Sequence, residues 1–385
     1  MTTAGAVDSG EQAESPVLPG YGRSSLADFS ESLLASLAVP GAANALGLPS
    51  VSRACLLLVD GLGWDQLRAR RSAAAFLSGL AETGCWITAG FPSTTATSLG
   101  SLGTARPPGQ HGLLGYQVRV PSTGQLLNAL RWAKGVDPQQ WQPLATIFER
   151  TAAAGIGAFR IASGAFQHSG LSVATMRGAD YRPAETAGAL VARAAAALAE
   201  QPRALAMVYT GDLDATGHVA GCGSAAWRFQ LRHVDLLAEQ LAGAIPAGTA
   251  LYVTGDHGMV DVPPDCRVDA DASPDLRDGV ALLGGEPRAR HVYARPGAAD
   301  DVLAAWRDTL GDRAWIASRD EAVEAGWFGP VDPRVYDRIG DVIAAARGQS
   351  AIVATVTEPR ESALIGMHGS LTAGDQRVPL LSHVA

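Results

Sequence analysis

Three short apolar runs, each ending in an acidic turn, constrain this chain more than any other feature. Ala54–Val59 (ACLLLV) runs into Asp60-Gly61, Leu205–Tyr209 (LAMVY) into Thr210-Gly211-Asp212, and Ala250–Thr254 (ALYVT) into Gly255-Asp256-His257. None alternates apolar with polar residues, so none reads as a strand with one wet face. Continuous β-rich runs suit strands covered on both sides, as in a parallel sheet sandwiched by helices. Segments with helical spacing fall between them, at 64–72, 73–83, 95–102, 143–154, 185–200 and 224–243. Strand and helix in alternation predict an α/β sandwich whose functional groups gather at the carboxyl ends of the strands.

The length of 385 residues allows one large domain with a smaller one. Residues 1–24 are small and polar and read as a flexible lead-in. A catalytic core is expected over 25–264 and 346–385, with a Gly/Pro/Arg-rich insert over 265–345 forming a small cap. Ala351–Val356 and Leu364–Gly369 are expected to return the chain to the main sheet. A net charge of −8 offers no footprint for nucleic acid or an anionic membrane. No apolar run is long enough to span a bilayer and no secretory signal is visible, which gives a cytoplasmic expectation. Cys55, Cys85, Cys222 and Cys266 form no C-x-x-C pair and read as reduced thiols.

Taken singly, the polar turns are ambiguous. Asp60 could cap the next helix. Asp214 and His218, four apart, could be a helical surface pair. His368 could be a satisfied core histidine. Phe91-Pro92-Ser93-Thr94-Thr95-Ala96-Thr97-Ser98 could be an ordinary capped helix start, or a hydroxyl held at the positive end of a helix. Arg288, Arg290 and His291 read as a solvated basic turn, with a substrate contact from the smaller subdomain as the alternative. Taken together, Asp60, Asp214, His218, Asp256, His257 and His368 supply the carboxylates and imidazoles that two zinc-like ions need.

The set VDGLG around Asp60, FPSTTATS around Thr95, DATGHVAG at 214–221, TGDHGM at 254–259 and GMHG at 366–369 resembles the alkaline phosphatase superfamily, nearest to its nucleotide pyrophosphatase/phosphodiesterase branch. The resemblance spans about residues 50–370. It implies Thr95 as nucleophile, three residues after Pro92, with Thr94 and Thr97 as neighbouring alternatives. It implies Asp60, Asp256 and His257, with the Thr95 oxygen, around one divalent ion, and Asp214, His218 and His368 around a second. Zinc is preferred, with manganese and iron open on ligand type. The implied chemistry is hydrolysis of a phosphodiester or pyrophosphate bond in a small phosphorylated, nucleotide-like substrate through a phosphoryl-threonine intermediate. Where the family's phosphodiesterases usually place an Asn on a phosphate oxygen, this chain has Tyr116, which can donate one hydrogen bond.

Two divalent cations set against three carboxylates and an alkoxide leave the cluster near neutral, and no Arg adjoins Thr95 in sequence; both points favour diester or pyrophosphate over monoester. A phosphomonoesterase or a phosphonate hydrolase resembling phosphonoacetate hydrolase is the alternative within the superfamily. A sulfatase is disfavoured because no C/S-x-P-x-R pattern is present. A metal-binding module without catalysis is the alternative of another class, and the presence of all seven matched side chains argues against it.

Overall fold

The computed structural model describes residues 14–132 and 134–385. Its centre is a seven-stranded sheet in the order Cys85–Thr88, Arg377–Val384, Thr249–Gly255, Arg53–Val59, Ala204–Thr210, Gly157–Ala162, Asp180–Pro183. The last five of these pair in parallel. Arg377–Val384 is antiparallel to both of its neighbours.

The absence of polar alternation has a direct cause in packing. Along Arg53–Val59, Cys55, Leu57 and Val59 enter one core and Ala54, Leu56 and Leu58 the other. Thr249–Gly255 divides likewise, with Leu251 and Val253 on one face and Ala250 and Tyr252 on the opposite one. Helices Leu26–Ser36 and Thr95–Thr104 cover one face through residues such as Phe29, Leu33, Leu99 and Leu102. Ala187–Glu200 and Ala225–Ala244 cover the other; in the latter Trp227, Leu231, Val234, Ala238 and Leu241 are buried at alternating steps of four and three, the stripe of an amphipathic helix.

A second sheet of four antiparallel strands runs Val280–Glu286, Ala289–Ala294, Val342–Ala346, Ala314–Ser318. Helix Ala299–Leu310 packs Val302 and Trp306 with Val292 and Ala344 of this sheet. Residues Ala289, Ile343 and Ala345 instead join the main core, so the smaller sheet shares a hydrophobic core with the larger.

Three expectations need correction. Ala351–Val353 pairs with Arg267–Asp269, and Gly366–Met367 with Val260–Asp261, so neither segment enters the main sheet. The return is made by Arg377–Val384, a strand not singled out from the sequence. Of the lead-in over 1–24, residues 1–13 lie outside the described residues. From Val17 onward the chain is fastened: Val17 N donates to Leu371 O, Gly20 N to Thr88 Oγ1, and Phe91 N to the Tyr21 hydroxyl. Small and polar composition did not mean a loose segment there, because its backbone groups found buried partners. All four cysteines are free thiols. No helix among the described residues is long and apolar enough to cross a membrane.

The basic turn is not solvated. Arg288, Arg290 and His291 are fully buried. Arg288 makes a two-pronged contact with Asp375, at 3.0 and 2.7 Å, and Arg290 reaches Glu358 at 2.7 Å. Removing one partner of a buried ion pair strands the other charge. Arg288→Met is therefore expected to destabilise the protein by about 3–5 kcal/mol; a solvated arginine would cost within about 0.5 kcal/mol. Urea denaturation distinguishes the two.

Candidate metal centre

Asp60 and Asp256 follow two neighbouring parallel strands, and the register that pairs Val59 with Gly255 sets them side by side. Gly255 is required at that point, because a Cβ there would lie 2.1 Å from Leu62 O. Gly61, at φ +71°, turns the chain after Asp60 so closely past Asp214 that a Cβ would meet the Asp214 Cβ at 3.0 Å. Asp214 and His218 sit on the helix Asp212–Ala220 that follows the strand on the other side of Arg53–Val59.

Thr95 is the first residue of helix Thr95–Thr104, and Thr94 holds the cap position without a capping hydrogen bond. The Thr95 hydroxyl turns away from the helix, 3.5 Å from Asp60 Oδ1 and 3.3 Å from His257 Nε2. His257 Nε2 is in turn 3.3 Å from Asp60 Oδ1 and 3.6 Å from Asp256 Oδ2. Across the pocket His218 Nε2 lies 3.2 Å from Asp214 Oδ2, and His368 Nε2 lies 3.9 Å from Asp214 Oδ1. The rings of His257 and His368 stack at 3.6 Å between centroids, joining the two groups. Asp60, Asp256 and His257 thus form one set of converging donor atoms, and Asp214, His257 and His368 another. The structure brings the six candidate ligands and Thr95 into one cluster of side-chain contacts.

Each donor is aimed by a partner. The Nδ1 atoms of His218, His257 and His368 lie 2.7, 2.8 and 3.1 Å from the carbonyl oxygens of Gly366, Gly258 and Ser93. A carbonyl accepts only, so Nδ1 carries the proton and Nε2 is left as a lone pair when the ring is neutral. Asp60 spends Oδ2 on the Tyr209 hydroxyl, and Asp256 spends Oδ1 on the amides of Gly61 and His257. The buried Asp214 Oδ1 and Asp256 Oδ2 have no hydrogen-bond donor at all. Buried oxygens left bare in this way suit a cation. The bland readings lose ground accordingly: Gly63, not Asp60, stands at the cap of the next helix.

The electrostatics show what the pocket lacks. Burial, together with the Asp60 charge, pushes the Asp256 carboxyl up to about 8. Burial opposes charge on His257, yet Asp256 and Asp60 outweigh it and raise its basicity well above the usual imidazole range. Burial, with its imidazole neighbours His257 and His218, holds His368 well below that range. Both shifts favour protons on Asp256 and His257, which a bound cation would displace.

Tyr116 shares a cavity of about 240 Å³ with Thr95, His218 and His368, but its hydroxyl donates to Glu361 Oε1 at 3.1 Å. A larger cleft of about 790 Å³ opens from Asp60 and Thr95 toward Arg160, Phe166 and Tyr209. Sequence reading missed Tyr209 as the support of Asp60, since a Tyr closing an apolar strand passes for core. It also missed Glu286, buried in the smaller cavity and pushed up to about 7 by that burial. Arg160 was missed too, although an arginine inside GAFRIA was a legible anomaly.

The profile of the type I phosphodiesterase/nucleotide pyrophosphatase family matches residues 54–371, and the chain belongs to that family of hydrolases. Its fold is similar to that of murine ectonucleotide pyrophosphatase/phosphodiesterase 5 in an inactive threonine-to-alanine form complexed with AMP. That match has a TM-score of 0.69 at 18% identity, covering 86% of this chain and 88% of the other. It is also similar to phosphonoacetate hydrolase from Sinorhizobium meliloti 1021 complexed with phosphonoformate, with a TM-score of 0.66 at 19% identity, covering 87% and 90%. No curated protein sequence matches.

Two outcomes are expected. Loading metal-free protein with a divalent ion at pH 7 should release protons from Asp256 and His257. The Asp256 share should fade as pH rises past about 8, where that carboxyl has already ionised; calorimetry in buffers of different ionisation enthalpy measures it. Tyr209→Phe, which frees Asp60 Oδ2, should weaken metal affinity about 10–100-fold while the fold persists; competition with a chromogenic chelator reads the change.

Proposed function

We propose that this chain is a two-metal hydrolase that cleaves phosphodiester or pyrophosphate bonds in nucleotide-like substrates, with Thr95 as nucleophile. The observation that carries the proposal is the Thr95 hydroxyl, within 3.5 Å of both Asp60 and His257 at the first position of a ten-residue helix. Asp60, Asp256, His257 and the Thr95 oxygen would hold one ion; Asp214, His218 and His368 would hold the other. When bound, such ions stabilise the alkoxide and the negative charge that gathers on phosphate oxygens. Zinc is the preferred metal, on three imidazoles and three carboxylates.

The protein's own part is positioning and protection. Helix Thr95–Thr104 presents its first-turn amides, which have no intrahelical acceptor, toward an incoming phosphate oxygen. The Thr95 oxygen attacks phosphorus, the bond to the leaving oxygen breaks with its electron pair, and a phosphoryl-threonine results; water then cleaves the P–O bond to Thr95 and restores the hydroxyl. Carbonyl-bound Nδ1 atoms keep the three imidazoles from rotating between turnovers. Tyr116 is the candidate contact to a phosphate oxygen, once Glu361 yields its hydroxyl. The inactive threonine-to-alanine form of the murine neighbour supports a threonine nucleophile here. The phosphonoformate complex of the second neighbour supports phosphonate hydrolysis as the alternative reading.

Purified protein is expected to carry about two divalent ions per chain and to lose its phosphodiesterase activity to a chelator. Thr95→Ala should lower kcat by about 10³-fold or more while metal content is largely retained. Faster hydrolysis of p-nitrophenyl phosphate than of bis-p-nitrophenyl phosphate would overturn the diester assignment.

A further inference from the structure

Arg160 lies on the strand Gly157–Ala162, two residues before its carboxyl end, and is only 5% exposed. Among the described residues its buried Nη1 has no hydrogen-bond acceptor. Its guanidinium stacks over the Tyr209 ring at 5.1 Å. Tyr209 is the same residue whose hydroxyl holds Asp60. Phe159 and Ile161 point into the core on one side of the sheet. Arg160 therefore faces the opposite side, where the Thr95 helix packs and the 790 Å³ cleft opens. The other arginines buried this deeply each reach a carboxylate or carbonyls, Arg288 that of Asp375, Arg290 that of Glu358, and Arg338 the carbonyls of Gly112 and Trp141, although Arg290 Nη2 and Arg338 Nε also have no acceptor.

A guanidinium kept almost dry and unpaired is costly unless something arrives to pair with it. The one carboxylate of the neighbouring loop that lines the cleft, Glu185, is held by the Gly164 amide at 2.7 Å and makes no ion pair with Arg160. The cleft joins Arg160 to the nucleophile in one space large enough for a nucleotide-sized molecule.

We infer that Arg160 forms an anion subsite that receives a second phosphate of the substrate, so that a pyrophosphate-linked nucleotide is preferred over a diester with a neutral flank. This deepens the proposed function and rests on it. The planar fork can take two oxygens of one phosphate at once, and the Tyr209 face holds it in plane. It also supplies the positive charge that the near-neutral cluster at Thr95 lacks. Arg360 is the alternative cation; it is exposed and lines the smaller cavity.

The test compares two substrates of the metal-loaded full chain: ATP, and the p-nitrophenyl ester of thymidine 5′-monophosphate, which has no second phosphate. Arg160→Met is expected to lower the ratio of kcat/KM for ATP over the nitrophenyl ester by about 10–100-fold, the worth of a charge-assisted hydrogen bond. Arg160→Lys should recover part of that ratio. Thermal melting checks folding, and loss of an unpaired buried charge should leave Tm unchanged or raised. An unaltered ratio in Arg160→Met, or a loss that follows Arg360→Met instead, overturns the inference and leaves the hydrolase reading intact. Binding of α,β-methylene-ADP, measured by calorimetry, reads the contact without turnover. Weakening by at least about 10-fold in Arg160→Met supports the subsite even if neither substrate is hydrolysed, and equal affinity refutes it.

Discussion

Like charges forced into one dry pocket are the constraint from which the rest of this structure follows. Asp60 and Asp256 meet where water is excluded, with Asp214 beside them, and burial next to the Asp60 charge makes ionising Asp256 costly unless positive charge joins them. Burial and the neighbouring carboxylates accordingly favour protons on Asp256 and His257. The parallel pairing of Arg53–Val59 with Thr249–Gly255 and Ala204–Thr210 puts this tension at one edge of the sheet. Two hydrophobic layers, one on each face, hold the strands there.

Around that tension the protein has arranged order at small cost. Backbone carbonyls of Gly366, Gly258 and Ser93 fix three imidazoles, each from a different segment of chain. None of these needs a dedicated side chain, so the orientation is written into the fold. Tyr209 is the exception: its hydroxyl steers Asp60, and its ring supports Arg160. One residue thereby couples the proposed nucleophile site to the proposed anion subsite.

Legibility in the sequence differed from residue to residue for physical reasons. Asp60, Asp256 and His257 were legible because each ends an apolar run, and the end of a buried strand is where a parallel sheet exposes its chemistry. Asp214 and His218 were legible as a helical pair through their spacing. His368 was not legible alone; it follows a two-residue bridge, and only its family motif singled it out. Arg288 and Arg290 were misread as solvated because their partners, Asp375 and Glu358, lie far along the chain. The closing strand Arg377–Val384 was not singled out; its partners, Cys85–Thr88 and Thr249–Gly255, lie far back along the chain.

What the sequence determined by itself was the class of fold and the candidate ligating side chains, since two-sided burial and side-chain chemistry are both local properties of the chain. Only the tertiary structure decided which hydroxyl faces the cluster and that Arg160 stands unpaired in the same cleft. Both depend on packing between segments distant in sequence, and no local pattern encodes the distance between them.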